Sequence, residues 1–210
     1  YNDELAKDAD GQTVALAAAA GSVTIGSHVH QPVTTGAQAP SYWHEYYTGD
    51  TVCPICGKVF TAGQTLPALT LTETSPYIHV ELAGSGTTYT ATLSLVNNPG
   101  LIGLEFDLVY DEAAFDVSAV SLGSLFDYQG SSFTDHAQGP IRFVFDSALA
   151  LSNVEADGVL AVVTFTVDPA YTSGVKAFDI ALSPQTHEMG YDINLNQVSI
   201  GALGDTVTLS

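Results

Sequence analysis

The sequence predicts an all-β fold, a two-sheet Greek-key β-sandwich preceded by a small appendage. From Tyr77 onward, short runs of alternating residues are separated by turn signals. They amount to roughly eight or nine strands over about 130 residues, the usual size of such a sandwich. Val, Thr, Tyr, Phe, Gly and Ser abound, which suits half-buried strands and many turns. Ahead of Tyr77, by contrast, the chain gathers both cysteines and three histidines in pieces too short to fold on a core of their own.

The first segment, residues 1–26, reads least clearly. Asp8-Ala9-Asp10-Gly11 and the following QTVALAAAAGSVTI fit two short strands or an Ala-rich helix. The Asp-x-Asp-Gly spacing lacks the later ligands and the bidentate Glu of a calcium loop, so a solvated turn is the better reading. Ala15–Ala20 resembles the small-residue end of a signal peptide without its basic and long apolar regions. With no start methionine and no address, the chain reads as a piece of something longer.

Residues 27–76 form a second segment, a metal-knuckle module and a connector. Cys53-Pro54-Ile55-Cys56-Gly57 places two thiolates on one tight turn, and zinc needs four such ligands in a tetrahedron. His28, His30 and His44 lie upstream, enough to complete a Cys2His2 site. The segment also resembles a small Cys-x-x-Cys-Gly zinc-ribbon module of secreted proteins from anaerobic bacteria. That likeness implies a further ligand about ten residues before the knuckle, near His44. The expected set is Cys53, Cys56 and His44, with His30 preferred to His28 as the fourth, and the zinc would be structural. The alternative is a Cys53–Cys56 disulfide. Tyr42, Trp43, Tyr46 and Tyr47 read as the small core of this module or its docking surface on the sandwich, with a sugar-stacking platform as the alternative.

Residues 77–210 are the sandwich. YIHVEL, TYTATLSLV, LIGLEFDLVYD, FDVSAVSLG, PIRFVFDSA, DGVLAVVTFTVDPA and FDIALSP read as strands, with a looser stretch over residues 124–139. The strand around which the rest is organised is Leu101–Asp111. Its Leu104, Phe106, Leu108 and Tyr110 face one way, and Gly103, Glu105, Asp107 and Val109 face the other. Arg142 alternates outward beside Ile141, Phe143 and Phe145, where a cross-strand ion pair with Glu105 or Asp107 is expected. His79, His136 and His187 are scattered and read as surface or strand-end residues.

Charge narrows the function. Four Lys+Arg stand against 23 Asp+Glu, a formal net charge of −19. Phosphate binding needs clustered cations, so nucleic acid and anionic membrane are poor partners, and no stretch is long and apolar enough to span a bilayer. A basic or calcium-bearing protein partner fits, and this charge would speed its capture. No nucleophile elbow, phosphate loop or metal-hydrolase motif is present, so the chain reads as a recognition module rather than an enzyme.

In the order and spacing of its pieces, the sandwich resembles a cohesin module, the receptor domain of bacterial cellulosome and amylosome scaffoldins. LIGLEFDLVYDEAAFDV is similar to the family's glycine-containing third strand. Phe143-Val144-Phe145 stands where the family's fifth strand lies, and Ala156-Asp157-Gly158-Val159-Leu160 with VVTFTV is similar to strand six. Residues 193–206 resemble the closing strand, whereas Glu112 replaces the proline usual after Tyr-Asp. The resemblance implies a nine-stranded jelly roll. It also implies a non-catalytic, extracellular or cell-surface role in polysaccharide degradation, in which enzymes bearing dockerin domains are docked to a scaffold. Calcium would be carried by the dockerin. The expected docking residues are Gly103, Glu105, Asp107, Arg142, Val144 and Asp146, with Leu149 and Leu151 in the loop beyond. A carbohydrate-binding module using the four aromatics and a passive surface-adhesin repeat are the alternatives.

Overall fold

The structure, a computed structural model, describes residues 9, 10, 12, 28–126, 131–134, 139–146, 151–171, 173–186 and 188–210. The expectations for residues 1–26, apart from three isolated positions, and for His136, Leu149 and His187 lie outside the described residues. No helix occurs among those described, and none is therefore long and apolar enough to cross a membrane.

The appendage contributes β1 (Val33–Thr35), β2 (Tyr46–Tyr47), β3 (Asp50–Val52), β4 (Val59–Thr61) and β5 (Thr65–Leu66). They form a three-stranded sheet, β1-β3-β4, and a two-stranded ribbon, β2-β5. The sandwich follows with β6 (Tyr77–Ser85), β7 (Thr88–Val96), β8 (Gly103–Val109), β9 (Phe115–Leu122), β10 (Ser132–Phe133) and β11 (Ile141–Asp146). It ends with β12 (Gly158–Val167), β13 (Gly174–Ala181), β14 (Gly190–Tyr191), β15 (Gln197–Val198), β16 (Gly201–Leu203) and β17 (Asp205–Leu209).

One sheet has the order β16-β6-β7-β12-β9; the other has β10-β11-β8-β13-β17, with β14 also pairing β8. The two sheets are held together by alternation. Ile78 and Val80 on β6, Ala91, Leu93 and Leu95 on β7, and Leu104, Phe106 and Leu108 on β8 are all buried in one continuous core. Aromatic rings fill its centre: Phe106 stacks on Phe143 with centroids 5.3 Å apart, and Phe115 meets Phe178 edge-on at 4.9 Å. The β6–β7 hairpin closes through Gly86-Thr87, with Gly86 at φ 65°, the left-handed position that such a two-residue turn gives to glycine.

Two strand assignments need correction. The looser stretch contains β10, so Ile141–Asp146 is the sixth strand of the sandwich and Gly158–Val167 the seventh. β10 is only two residues long, too short for a period to be visible in the sequence. The closing strand is also split. β16 pairs parallel to β6 in one sheet and β17 antiparallel to β13 in the other, so the chain changes sheets at Gly204.

Turn residues tie the connector down. Asn97 Nδ2 donates to the backbone carbonyls of Glu73 and Ser75, and Asn98 Nδ2 to those of Val154 and Ala156. The Asn97-Asn98-Pro99-Gly100 turn therefore joins the end of the appendage to the loop after β11.

Candidate docking face and metal centre

β8 lies between β11 on one side and β13 and β14 on the other. The β8–β11 register sets Asp107 opposite Arg142, Glu105 opposite Val144 and Gly103 opposite Asp146. On the other flank Tyr191 stands opposite Gly103. These residues share the face turned away from the core.

Within that face the roles divide. Arg142 Nε and Nη2 donate to the two oxygens of Asp107 at 2.8 and 3.1 Å, and its Nη1 donates to Gln185 Oε1 at 2.6 Å. Asp107 is only 5% exposed. Asp107 is thus closed off by the ion pair expected of Arg142, while Arg142 itself stays half-buried. A carboxylate buried this far needs a bonded cation, and Arg142 is placed directly across the register to supply it. Asp107 in return raises the guanidinium's already high pKa, chiefly through this hydrogen bond. Glu105 lies 3.8 Å from Arg142 Nε and stays half-buried, as does Val144, while Asp146 is exposed.

Gly103 is itself buried, flanked on both sides by hydrogen-bonded neighbours; what it offers the face is the absence of a side chain. Above it opens a cavity of about 260 Å³, bounded by Glu105, Val144, Asp146, Tyr191 and Leu195. Tyr191 and Leu195 were not expected there. Their one sequence signal is Asp192-Ile193-Asn194-Leu195-Asn196, a run of turn-forming residues that makes the β14–β15 hairpin. Leu151 is 98% exposed in the loop beyond β11.

The appendage holds a second constellation. The donor atoms of His28, His30, Cys53 and Cys56 all lie within 4.8 Å of one another. His28 Nε2 is 3.2 Å from Cys53 Sγ, and His30 Nδ1 is 3.7 Å from Cys56 Sγ. The β1–β3 register explains the meeting: it pairs Val33 with Val52, so the chain before Val33 continues alongside the knuckle after Val52. Residues two apart on an extended chain point the same way, which aims both imidazoles at the cysteines. Gly57, at φ 71°, turns the knuckle, and its N–H donates to the Cys53 carbonyl at 2.8 Å.

The cysteines are free thiols rather than a disulfide. Hydrogen bonding from His30, with smaller contributions from the Cys56 and Ile55 backbone N–H groups and from His28, outweighs burial and pulls the Cys53 thiol down to about 5. His44, expected among the ligands, is elsewhere. Its Nε2 faces Glu188 Oε1 at 3.1 Å, and its Nδ1 faces the Glu45 carbonyl at 3.0 Å. The aromatics separate as well. Trp43 packs on the sandwich core and donates from Nε1 to the Ile200 carbonyl at 2.7 Å, while Tyr42 N–H donates to Ser199 Oγ. Tyr46 and Tyr47 are consecutive on β2 and so point to opposite sides. The four do not form one sugar-stacking plane.

Two packed antiparallel-rich sheets with a polar-rimmed outer face define a β-sandwich. The family is specific: a cohesin domain model matches residues 80–183, and the sandwich of this chain is a cohesin domain, a non-catalytic protein-interaction fold. Solved cohesins are similar throughout their own length. CaCohA2 of Clostridium acetobutylicum is 19% identical with a TM-score of 0.52, covering 65% of this chain and 92% of that one. The Clostridium thermocellum cohesin of the Coh-OlpA–Doc918 complex is 18% identical with a TM-score of 0.54, covering 65% and 99%. The sixth cohesin of scaffoldin B from Acetivibrio cellulolyticus, in complex with a Cel5 dockerin, is 16% identical with a TM-score of 0.55, covering 65% and 100%. At these identities the likeness establishes the fold. No curated protein matches the chain.

Proposed function

We propose that residues 77–210 are the receptor that docks a dockerin-bearing protein, and so gather polysaccharide-degrading enzymes on a scaffold outside the cell. The observation that carries this is the outer face of the β8–β11 pair in a cohesin fold. There Glu105 and Val144 meet across the register with Asp146 exposed beside them, while Asp107 is already bonded to Arg142. An apolar centre with an acidic rim suits a partner carrying Lys or Arg, and calcium belongs to that partner.

The test is calorimetry of the full chain against a panel of calcium-loaded dockerins. One or more should bind, and Glu105→Arg or Val144→Arg should weaken that binding without loss of fold. Binding to none, or affinity unchanged in both variants, removes the docking face. Starch and cellulose pull-downs are expected to stay empty.

Residues 27–76, on this reading, form a separate module built on one structural zinc, held by His28, His30, Cys53 and Cys56. The donor set supports it: two sulfurs and two imidazole nitrogens converge, and Cys53 favours the thiolate that a metal takes. Four protein ligands leave no position for an activated water, so the metal would fasten β1 to the knuckle.

A further inference from the structure

We infer that the cavity above Gly103 is the seat for one basic side chain of the docked protein, arginine in particular. This deepens the docking reading and rests on it for the identity of the partner.

The seat is built by what each position lacks or adds. Gly103 raises no side chain between Asp146, opposite it on β11, and Tyr191, opposite it on β14. Glu105 and Asp146 stand at diagonal corners of a square completed by Gly103 and Val144. Diagonal neighbours on paired strands are about 7–8 Å apart, a gap that a guanidinium can bridge. Val144, Tyr191 and Leu195 supply apolar wall along which the stem of such a side chain can lie. Asp146 makes no ion pair among the described residues, and Glu105 is only loosely paired, its Oε1 3.8 Å from an Arg142 Nε that Asp107 holds at 2.8 Å. In a chain of net charge −19, the occupant that completes this site is cationic. Arginine fits better than lysine because its planar fork can meet both carboxylates at once.

The Leu195 wall is held in place by its own loop. Leu195 adopts φ 62°, a left-handed backbone uncommon for a residue with a bulky side chain, and is 73% exposed. Asp192 locks this turn. Its Oδ1 accepts the N–H groups of Asn194 and Asn196 at 2.8 Å each, and its Oδ2 accepts Asn196 Nδ2 at 2.8 Å. Ile193 N–H donates to Asn153 Oδ1 at 2.7 Å and joins the hairpin to the neighbouring loop. The fold thus fixes an apolar side chain that its own core does not use, at the edge of an acidic cavity.

The test begins with the full chain, 15N-labelled and titrated with n-butylguanidinium, and with n-butylurea as the neutral isostere. Saturable shifts are expected at Gly103, Val144 and Leu195 with the cation. Their apparent affinity should fall about tenfold or more in Glu105→Gln/Asp146→Asn, and should fall also in Leu195→Ala. Shifts that are absent from these residues, unchanged in the carboxylate variant or equal with the urea overturn the assignment. A second arm uses any dockerin that binds the full chain. The same variants should weaken it about tenfold, and so should alanine at one of its arginines. Dockerin affinity unchanged by all of them removes the seat and leaves the docking reading standing. A cavity that takes butylguanidinium in a chain that binds no dockerin removes that reading and leaves the seat.

Discussion

Arg142 reaches across from β11 and closes both of its forked donors on Asp107 of β8, with Nε 2.8 Å from one oxygen and Nη2 3.1 Å from the other. This pair sorts the acidic stripe into a tightly bonded carboxylate and a loosely paired one. Asp107 is bonded and buried, and Glu105, two residues back along the same strand, lies 3.8 Å from the same guanidinium and stays half-exposed.

Asp107→Ala should therefore act on stability. It leaves a partly buried guanidinium without its main partner, at a cost of about 1–3 kcal/mol, below a fully buried pair because Arg142 keeps access to water. Urea unfolding is the measurement, with Glu105→Gln as the comparison, expected to change stability by less than about 0.5 kcal/mol. Equal losses in the two variants would contradict the division.

The proposed metal centre makes a sharper distinction between histidines. Elemental analysis of the purified chain should find about one zinc per molecule, lost in His28→Ala, His30→Ala and Cys53→Ser. His44→Ala should keep its zinc, since that ring faces Glu188 instead. Less than about one metal per two wild-type chains, with two titratable thiols, would end the zinc assignment.

A third expectation concerns acid. Lys176 Nζ donates to Asp111 Oδ2, and this bond holds the Asp111 carboxyl below its ordinary range. A carboxyl with a depressed folded-state pKa adds stability above its unfolded value and loses it as pH falls through the folded one. The loss should begin near the ordinary carboxylate value of about 3.9 and continue below it. Asp111→Asn should flatten the fall of the thermal midpoint across that range. An unchanged slope would mean that the bond is too solvent-screened to matter.

Much of β8 was legible in its residues. Leu104, Phe106, Leu108 and Tyr110 are all buried, as their spacing requires, and Glu105 and Val109 face away from the core. Arg142 could be placed outward, and its ion pair anticipated, from the same alternation. What remained out of reach was long-range. Whether Arg142 holds Asp107 or Glu105 turns on the β8–β11 register, and a shift of one residue would reverse every face. The histidines illustrate the same limit. His44 is nearer the knuckle in sequence, yet pairing of β1 with β3 brings His28 and His30 to the cysteines.

By itself, then, the sequence determined the all-β class, the inward and outward side of each long strand and the acidity of the surface. Those follow from composition and a two-residue period, and neither depends on which segments meet. Tertiary structure alone decided which carboxylate is most tightly bonded, which imidazoles gather around the thiols and that Leu195 lines the cavity at Gly103. Each of these joins residues far apart along the chain, where only strand pairing and loop closure bring them within a few ångströms.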